Sequence, residues 1–267
     1  MGSKTSAAIW DAEYGRAGIP SSYREGPSGA VLWALRNWGE PGCDQLPRRA
    51  LDVGCGTGRN AAHLASRGIR VTAFDNAPSA VAAAKKRLLA GGLEAELSVR
   101  NLQAGLPADD HEVDLVLDVF VYKHQTDPAV RLRYREELRR VLSKEGRVLV
   151  SVAEPDDGYY GGCPPLSDPE ASPHAVLDPV LGLGSVLFSL GELEAEMADI
   201  LSLEMAWRKV RTGRMHGKEY IRRTLATLWR RSPTPGLATA PHRAQDATQD
   251  AAKASSRLSK QVVQPSS

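Results

Sequence analysis

Apolar positions recur along this chain with two different periods, and the alternation between them outlines the fold. Near the start, Ser6 to Tyr14 has helical spacing. A second helix is expected after Pro27 and Ser28, with Val31, Leu32, Leu35 and Trp38 on one face and Gly39 as its stop. From Arg49 onward, short apolar runs alternate with helical patterns. ALDV is a buried strand; Ala61, Leu64 and Ala65 share a helical face that Gly68 ends; Val71, Ala73 and Phe74 mark a second strand. The stretch NAPSAVAAAKKRLLAGG reads as a helix with Pro78 near its start and Gly91-Gly92 as its stop. Ala95 to Val99 is a third strand and VDLVLDV, from Val113, a fourth. Asp127 caps a helix with Pro128 in its first turn and Val130, Tyr134, Leu138 and Val141 three or four apart. RVLVSVAE, from Arg147, is a fifth strand. Strands separated by helices of this length imply right-handed βαβ units and a doubly wound α/β sheet.

The rest of the chain is less regular. Residues 155–188 are rich in Pro and Gly, and the segment is expected to be an irregular, lid-like insertion. A helix follows over Ser189 to Ile200, then a sixth strand over Leu203 to Val210. TLATLWRR, from Thr224, fits either a helix or a strand; its threonines favour a strand paired with the sixth. Residues 232–267 are poor in large apolar side chains and are expected to form a disordered tail, the alternative being one marginal helix around Gln245 to Leu258. The organisation expected is thus an N-terminal helical cap over 1–40, a domain over 41–231, and the tail.

Composition narrows the function only slightly. The chain has 267 residues, 42% hydrophobic and 25% charged, with a net charge of +2. No overall field asks for nucleic acid or a membrane surface. Cys43, Cys55 and Cys163 are too few and too scattered for a disulfide framework or a zinc site, and no metal is expected. The first residues lack an apolar signal core and no run approaches a bilayer span, so the expected location is the cytoplasm. Arg208 to Arg231 holds nine Lys and Arg against the single acid Glu219, which reads as the solvated face of a hairpin rather than an RNA-facing patch.

The chemistry concentrates in ALDVGCGTGRN. Gly54, Gly56 and Gly58 follow a strand, but Arg59 stands where a dinucleotide loop needs its third glycine. No Gly-Lys-Ser/Thr follows either, which removes a Walker loop. Asp75, one strand–helix–strand unit after Asp52, is placed to accept hydrogen bonds from a ribose diol. A nucleoside without an obligatory pyrophosphate fits both facts.

With these residues in place, LDVGCGTGRN, VTAFD, VDLVLDV and the RRVLSKEGRVLVSV block resemble the motifs of class I S-adenosylmethionine-dependent methyltransferases, from about Ala50 to Glu154. The resemblance implies a Rossmann-like, mostly parallel seven-stranded sheet with the last strand antiparallel. It implies S-adenosyl-L-methionine as cofactor, with Gly54, Cys55, Gly56 and Gly58 along its methionyl and ribose part. Asp52 would reach its amino group, Asp75 its ribose and Asn76 its adenine. Asn101 replaces the acid that the family commonly has at the adenine amino group, and Leu102 would pack on the ring. Asp118 would face the cofactor amino group and the substrate. Arg24 would pair with the cofactor carboxylate.

After the fourth strand, Tyr122, Lys123 and His124 reach the end of the sheet where ligands bind, and His124 is the best candidate for a general base, with Asp118 and Tyr122 as further catalytic candidates. Trp10, Tyr14, Tyr23, Tyr159 and Tyr160 are candidates for holding the substrate, with Asp156 and Asp157 able to answer a cationic one. Met215, His216 and Gly217, linking the last two strands, lie where they would reach a pocket rim. The expected function is methyl transfer to a small-molecule acceptor by in-line displacement. Two alternatives stay open: cyclisation of the cofactor to an azetidine carboxylate with release of methylthioadenosine, and a non-catalytic cofactor-binding module. Neither the acceptor nor the oligomeric state is legible.

Overall fold

In the central strands, successive side chains feed two different cores, which is why those strands read as nearly continuous apolar runs. The computed structural model describes residues 5–16, 25–39, 45–166, 172, 174–232 and 244–246. Its strands are β1 (Arg49–Val53), β2 (Arg70–Asp75), β3 (Glu96–Val99), β4 (Val113–Val119), β5 (Leu142–Ala153), β6 (Ala175–Asp178), β7 (Leu183–Val186), β8 (Leu201–Met215), β9 (Lys218–Arg231) and β10 (Ala244–Asp246). Its α-helices are α1 (Ser6–Tyr14), α2 (Gly29–Arg36), α3 (Arg59–Ser66), α4 (Pro78–Ala90), α5 (Pro128–Val141) and α6 (Leu190–Met197). Leu51, Val116, Val148 and Val150 point to one side, against Tyr134, Leu138 and Val141 of α5 and Leu193 and Met197 of α6. Ala50, Leu115, Leu117 and Leu149 point to the other, against Val31 and Trp33 of α2 and Ala61 and Leu64 of α3. Each leucine buried in this way contributes about 2 kcal/mol of transfer free energy.

The sheet order is β10-β8-β9-β5-β4-β1-β2-β3. Strands β1 to β5 are mutually parallel, and β9 runs antiparallel to both β5 and β8. This is the expected seven-stranded, mostly parallel sheet with its last strand antiparallel, and TLATLWRR is indeed a strand. The three-residue β10 lies parallel beside β8 as an eighth member. The strand order turns between β1 and β4, the switch point at which doubly wound sheets bind ligands.

Three local expectations need correction. The insertion is not wholly irregular: β6 and β7 form an antiparallel hairpin around a turn that the Asp178 carboxylate holds through the Val180 and Leu181 N–H groups. The buried face of α2 is Ala30, Val31, Trp33 and Ala34, while Leu32 is exposed. The helix is turned because the Trp33 ring stacks on Trp207 of β8, centroids 6.0 Å apart. Finally, β8 and β9 are almost twice as long as the spacing suggested. They extend to a two-residue turn in which His216 and Gly217 both have positive φ, the conformation that matches the twist of the flanking strands. Tyr23 and Arg24 fall outside the described residues, as does the tail expected to be disordered, apart from Ser232 and β10.

The glycine loop between β1 and α3 is where backbone conformation is most demanding. Gly54, Gly56 and Gly58 all have φ between +54° and +73°. A Cβ on Gly58 would lie 2.8 Å from the Ala84 Cβ of α4. Replacing Gly58 with Ala should therefore destabilise the protein by about 1–3 kcal/mol through strain and overpacking. The measurement is the urea midpoint, and a change within about 0.5 kcal/mol would mean that α4 yields freely.

Candidate active site

Beyond the carboxyl ends of β1, β2 and β4 lies a cavity of about 740 Å³. One end is the glycine loop. Gly54, Cys55 and Gly56 line it, as do Asp75, Asn76, Asn101 and Leu102. Asp75 is 7% exposed, and its two carboxylate oxygens accept from the Gly56 N–H at 2.9 Å and the Ala77 N–H at 3.0 Å. Burial raises its pKa while these N–H groups oppose the rise. The loop is thus tied to the end of β2 by a buried carboxylate whose remaining lone pairs are available to a ligand. Asn101 accepts from the Gln103 N–H through its side-chain oxygen, which leaves its NH2 group as the donor for a ligand. Burial pushes the Cys55 thiol well up, so it stays protonated and inert.

Two residues expected here stand off the cavity. Gly58 packs on α4 instead, for the reason given above. Asp52 is buried beneath the loop, with no hydrogen-bond partner for its Oδ2. Burial lifts its pKa to about 7, with the Arg59 charge opposing.

The N-terminal helix closes this end. Trp10 and Tyr14 line the cavity, and a Cβ on Gly56 would fall 2.7 Å from the Tyr14 hydroxyl. Asp11 pins α1 in place: its Oδ1 accepts from the Ser79 N–H at 2.8 Å and the Ser79 hydroxyl at 2.6 Å, in the first turn of α4. Those hydrogen bonds hold the Asp11 carboxyl below its ordinary pKa. From α2, the Ser28 N–H donates to the Asn60 Oδ1 at 2.9 Å, joining the second N-terminal helix to α3.

After β4, the three catalytic candidates separate. Asp118 is fully buried and does not line the cavity. Its carboxylate accepts from the Val121 and Tyr122 N–H groups, each at 3.0 Å, and from the Tyr134 hydroxyl at 2.9 Å. It is a clamp that holds Phe120 at a positive φ of 70°, and burial raises its pKa to about 6. Tyr122 is fully buried too: its hydroxyl donates to Glu196 Oε1 at 2.6 Å and its ring packs on Phe188 and Tyr134. Burial drives its pKa up, so it is no base. His124 does line the cavity, with its ring edge-on to Trp10 at 5.4 Å. Its Nδ1 lies 3.0 Å from the Gly184 carbonyl and 3.2 Å from the Ser185 hydroxyl. A carbonyl can only accept, so Nδ1 carries the hydrogen and Nε2 is the basic nitrogen. The β6–β7 hairpin therefore orients this imidazole.

Lys123, 1% exposed, donates to the same Ser185 hydroxyl at 2.8 Å, with its Nζ 3.5 Å from the centre of the Tyr160 ring. Burial, with Arg222 nearby, brings its pKa down to about 7. Tyr160 lines the cavity, but Tyr159 does not; it packs against Tyr220 and His216. Asp157 is not available to a cationic acceptor, because it receives Arg222 Nε through both oxygens at 3.0 and 2.9 Å. Asp156 is an exposed partner of Arg223.

Sequence reasoning placed Met215 at the rim, which it lines, but missed the rest of the far wall: Trp207, Lys209 and Arg211 of β8, with Arg222, Thr224 and Ala226 of β9, line the cavity too, while His216 and Gly217 do not. The signal was available: on β8 these residues fall on odd positions, and a strand places every second residue on one face.

The family described as methyltransferase domain matches residues 50–146, the segment from β1 to the start of β5 that carries the glycine loop, Asp75 and Asp118. Over this segment the chain is similar to methyltransferase domains. An uncharacterized methyltransferase of Mycobacterium tuberculosis is 35% identical over 122 residues, 46% of this chain and 43% of that protein. A ubiquinone biosynthesis O-methyltransferase of Xylella fastidiosa is 30% identical over 104 residues, 39% of this chain and 41% of its own length. These matches thus span less than half of the curated relatives. A solved structure described as the conversion of a disulfide bond into a thioacetal group during echinomycin biosynthesis shares the fold of the methyltransferase domain and its flanking parts. It aligns with 97% of this chain and 99% of its own, at 19% identity and a TM-score of 0.64.

Burial, then the Lys123 charge, carries the His124 pKa from its ordinary 6.5 down to about 3. Between those values the unfolded chain binds a proton that the folded chain refuses, so this residue withdraws stability as the pH falls through the interval. The variant His124→Asn should lose less stability than the parent between about pH 7 and about pH 4.5. Urea midpoints at both pH values provide the check; equal losses would mean that His124 titrates normally.

Proposed function

We propose that this protein transfers a methyl group from S-adenosyl-L-methionine to a small-molecule acceptor. The observation that carries the reading is the two-ended cavity, with a glycine loop and buried Asp75 at one end and His124 with the β8–β9 wall at the other. Its volume, about 740 Å³, lies well within the roughly 300–1,000 Å³ of small-ligand sites, with space left beside a nucleoside. The ubiquinone-pathway relative methylates oxygen on a small molecule by its description, which supports the same acceptor class.

The residues present fit the cofactor. Asp75 would hold the ribose hydroxyls, Asn76 and Leu102 would flank the adenine, and the Asn101 NH2 would donate to a ring nitrogen. The unpartnered oxygen of buried Asp52 would supply negative charge beneath the loop for the ammonium group. When bound, S-adenosylmethionine supplies a methyl group already activated by its sulfonium.

The chain then has to align the acceptor and exclude water. Trp10 and Tyr14 of α1 would cover the cofactor end. His124 would accept a hydrogen bond from the acceptor through Nε2. A neutral imidazole with so low a pKa suits the positioning of an acceptor O–H or N–H better than full removal of its proton ahead of transfer.

Identification of the nucleoside product by mass, from the full chain incubated with S-adenosylmethionine and fractionated metabolite extracts, tests the reaction. S-adenosylhomocysteine formed only when a fraction is added is the expected result. Methylthioadenosine formed without one would overturn the reading in favour of cyclisation, and tight binding with neither product would favour a cofactor sensor.

The variant Asp75→Asn retains an acceptor for one backbone N–H and loses the charge. It should weaken S-adenosylhomocysteine binding about tenfold or more while far-UV circular dichroism stays unchanged. Unaltered affinity in calorimetry would remove the ribose assignment.

A further inference from the structure

A methyl group placed on a neutral O–H or N–H leaves that atom with a hydrogen to lose, and His124 alone is a poor store for it. Burial and the Lys123 charge bring its pKa down to about 3, so an imidazolium in the closed cavity is costly. A better store lies one hydroxyl away. The Ser185 Oγ is 3.2 Å from His124 Nδ1 and 2.8 Å from the Lys123 Nζ. The three groups form an unbroken line from His124, which lines the cavity, to an amine that is 1% exposed. Each can both give and take a hydrogen: the imidazole through its two nitrogens, the hydroxyl through its hydrogen and lone pairs, and the amine once it is neutral.

The surroundings of Lys123 keep both of its charge states within reach. Arg222 of β9 opposes the ammonium, while Asp157 after β5, Asp178 of β6 and Cys163 favour it. Asp157 is already engaged by Arg222, and Asp178 holds its hairpin turn with His216 Nε2 3.6 Å away. The Tyr160 ring, 3.5 Å from Nζ, also favours the ammonium. Burial is the largest influence, and the balance sets the pKa at about 7. At neutral pH the amine is therefore free of its extra proton in a large share of molecules.

We propose that Lys123 stores the proton released by methyl transfer, reached from the acceptor through His124 and Ser185. This rests on the methyl-transfer reading and on His124 facing the acceptor. The acceptor atom's lone pair takes the methyl group as the carbon–sulfur bond leaves its electron pair on sulfur. The acceptor's O–H or N–H bond then returns its pair to the acceptor atom and gives its proton to His124 Nε2. Nδ1 passes its hydrogen to Ser185 Oγ as the Ser185 hydrogen moves to the Nζ lone pair. One positive charge has moved from sulfur to Lys123, and no further reactant is needed. The Gly184 carbonyl, 3.0 Å from Nδ1, has then lost the hydrogen it accepted, which makes the arrangement temporary. Water that enters the cavity as product leaves takes the proton along the same line in reverse. Ser185 and Lys123 touch no reacting atom; they are positioning residues that act through His124.

The first test needs no acceptor. The full chain, labelled with 15N-histidine and saturated with S-adenosylhomocysteine, is followed by NMR from pH 5 to pH 9, with His124 assigned by its loss in His124→Asn. The ring should stay neutral with its hydrogen on Nδ1, and its signals should shift with an inflection near pH 7 that vanishes in Lys123→Met. No inflection, or one that survives in Lys123→Met, overturns the proposal. The second test follows single turnovers with the extract fraction that yields S-adenosylhomocysteine. The parent rate should rise with pH through about 7 and then level off, because the neutral amine is the form that accepts. Lys123→Met and Ser185→Ala should each be slower by about a hundredfold and lose this rise. Lys123→Arg keeps a donor and a cation but is never neutral, so it should be as slow as Lys123→Met. Rescue by Arg, or parent rates in Ser185→Ala, would make the lysine merely structural and overturn the relay. S-adenosylhomocysteine affinity within about twofold of the parent reports that each variant is folded. If a Lys123 variant fails that check, Ser185→Ala and the parent pH profile decide. Any of these failures leaves methyl transfer standing, whereas a parent chain that yields S-adenosylhomocysteine with no fraction overturns that reading and the relay with it.

Discussion

The site depends on one buried carboxylate. Asp75 ends β2, and its two oxygens take the N–H groups of Gly56 and Ala77. One of those groups belongs to the glycine loop and the other to the entry of α4. A carboxylate in such a place is costly unless its lone pairs are filled, and backbone N–H groups fill them without side-chain entropy. The contact fixes the loop relative to α4, so Gly58 can pack on Ala84 with no Cβ between them. It also places Ser79, two residues beyond Ala77, where Asp11 of α1 grips it. Loop, helix and N-terminal cover are therefore linked in series through hydrogen bonds that begin at Asp75.

That series explains what was legible in the sequence. The glycines, Asp75 and the apolar runs of β1 to β5 obey local rules: positive φ after a strand, an acid one βαβ step later, and burial on both faces of a parallel sheet. Residues whose role depends on distant partners were read less well. Asp118 and Tyr122 sit at the end of β4, where ligands bind, but the rule locates a residue and not the direction of its side chain. Asp118 meets a hydroxyl sixteen positions away, on Tyr134, and Tyr122 meets Glu196 on α6. Neither contact has a periodicity to reveal it. The β6–β7 hairpin was hidden for another reason: its strands have four residues each, and Pro and Gly dominate the flanks. Yet this hairpin supplies the Gly184 carbonyl and Ser185 hydroxyl that set the tautomer of His124.

Electrostatics then divide the cavity. Burial outweighs the neighbouring acids at Lys123 and acts with the Lys123 charge at His124, and both shift toward their neutral forms. Positive charge is concentrated instead along the β8 wall. The two regions meet at Tyr160, which has Lys123 on its ring and Arg222 5.3 Å from its centre.

A run of nine basic residues against one acid looks like a single surface when it is read by composition. Strand register shows that it is at least two. Arg208 and Arg223 pair with Glu154 and Asp156, and Arg214 and Lys218 are exposed near the tip of the hairpin. Lys209, Arg211 and Arg222 turn to the cavity. The sheet needs β8 and β9 only as far as their pairing with β5, which reaches Thr224. The strands continue past that point to His216 and Gly217, and this extra length, which sheet closure does not require, carries Arg211, Met215 and Arg222 over the site. The parallel strands and their glycine loop thus form one end of the cavity, and the overhang of one antiparallel hairpin supplies basic side chains to the other.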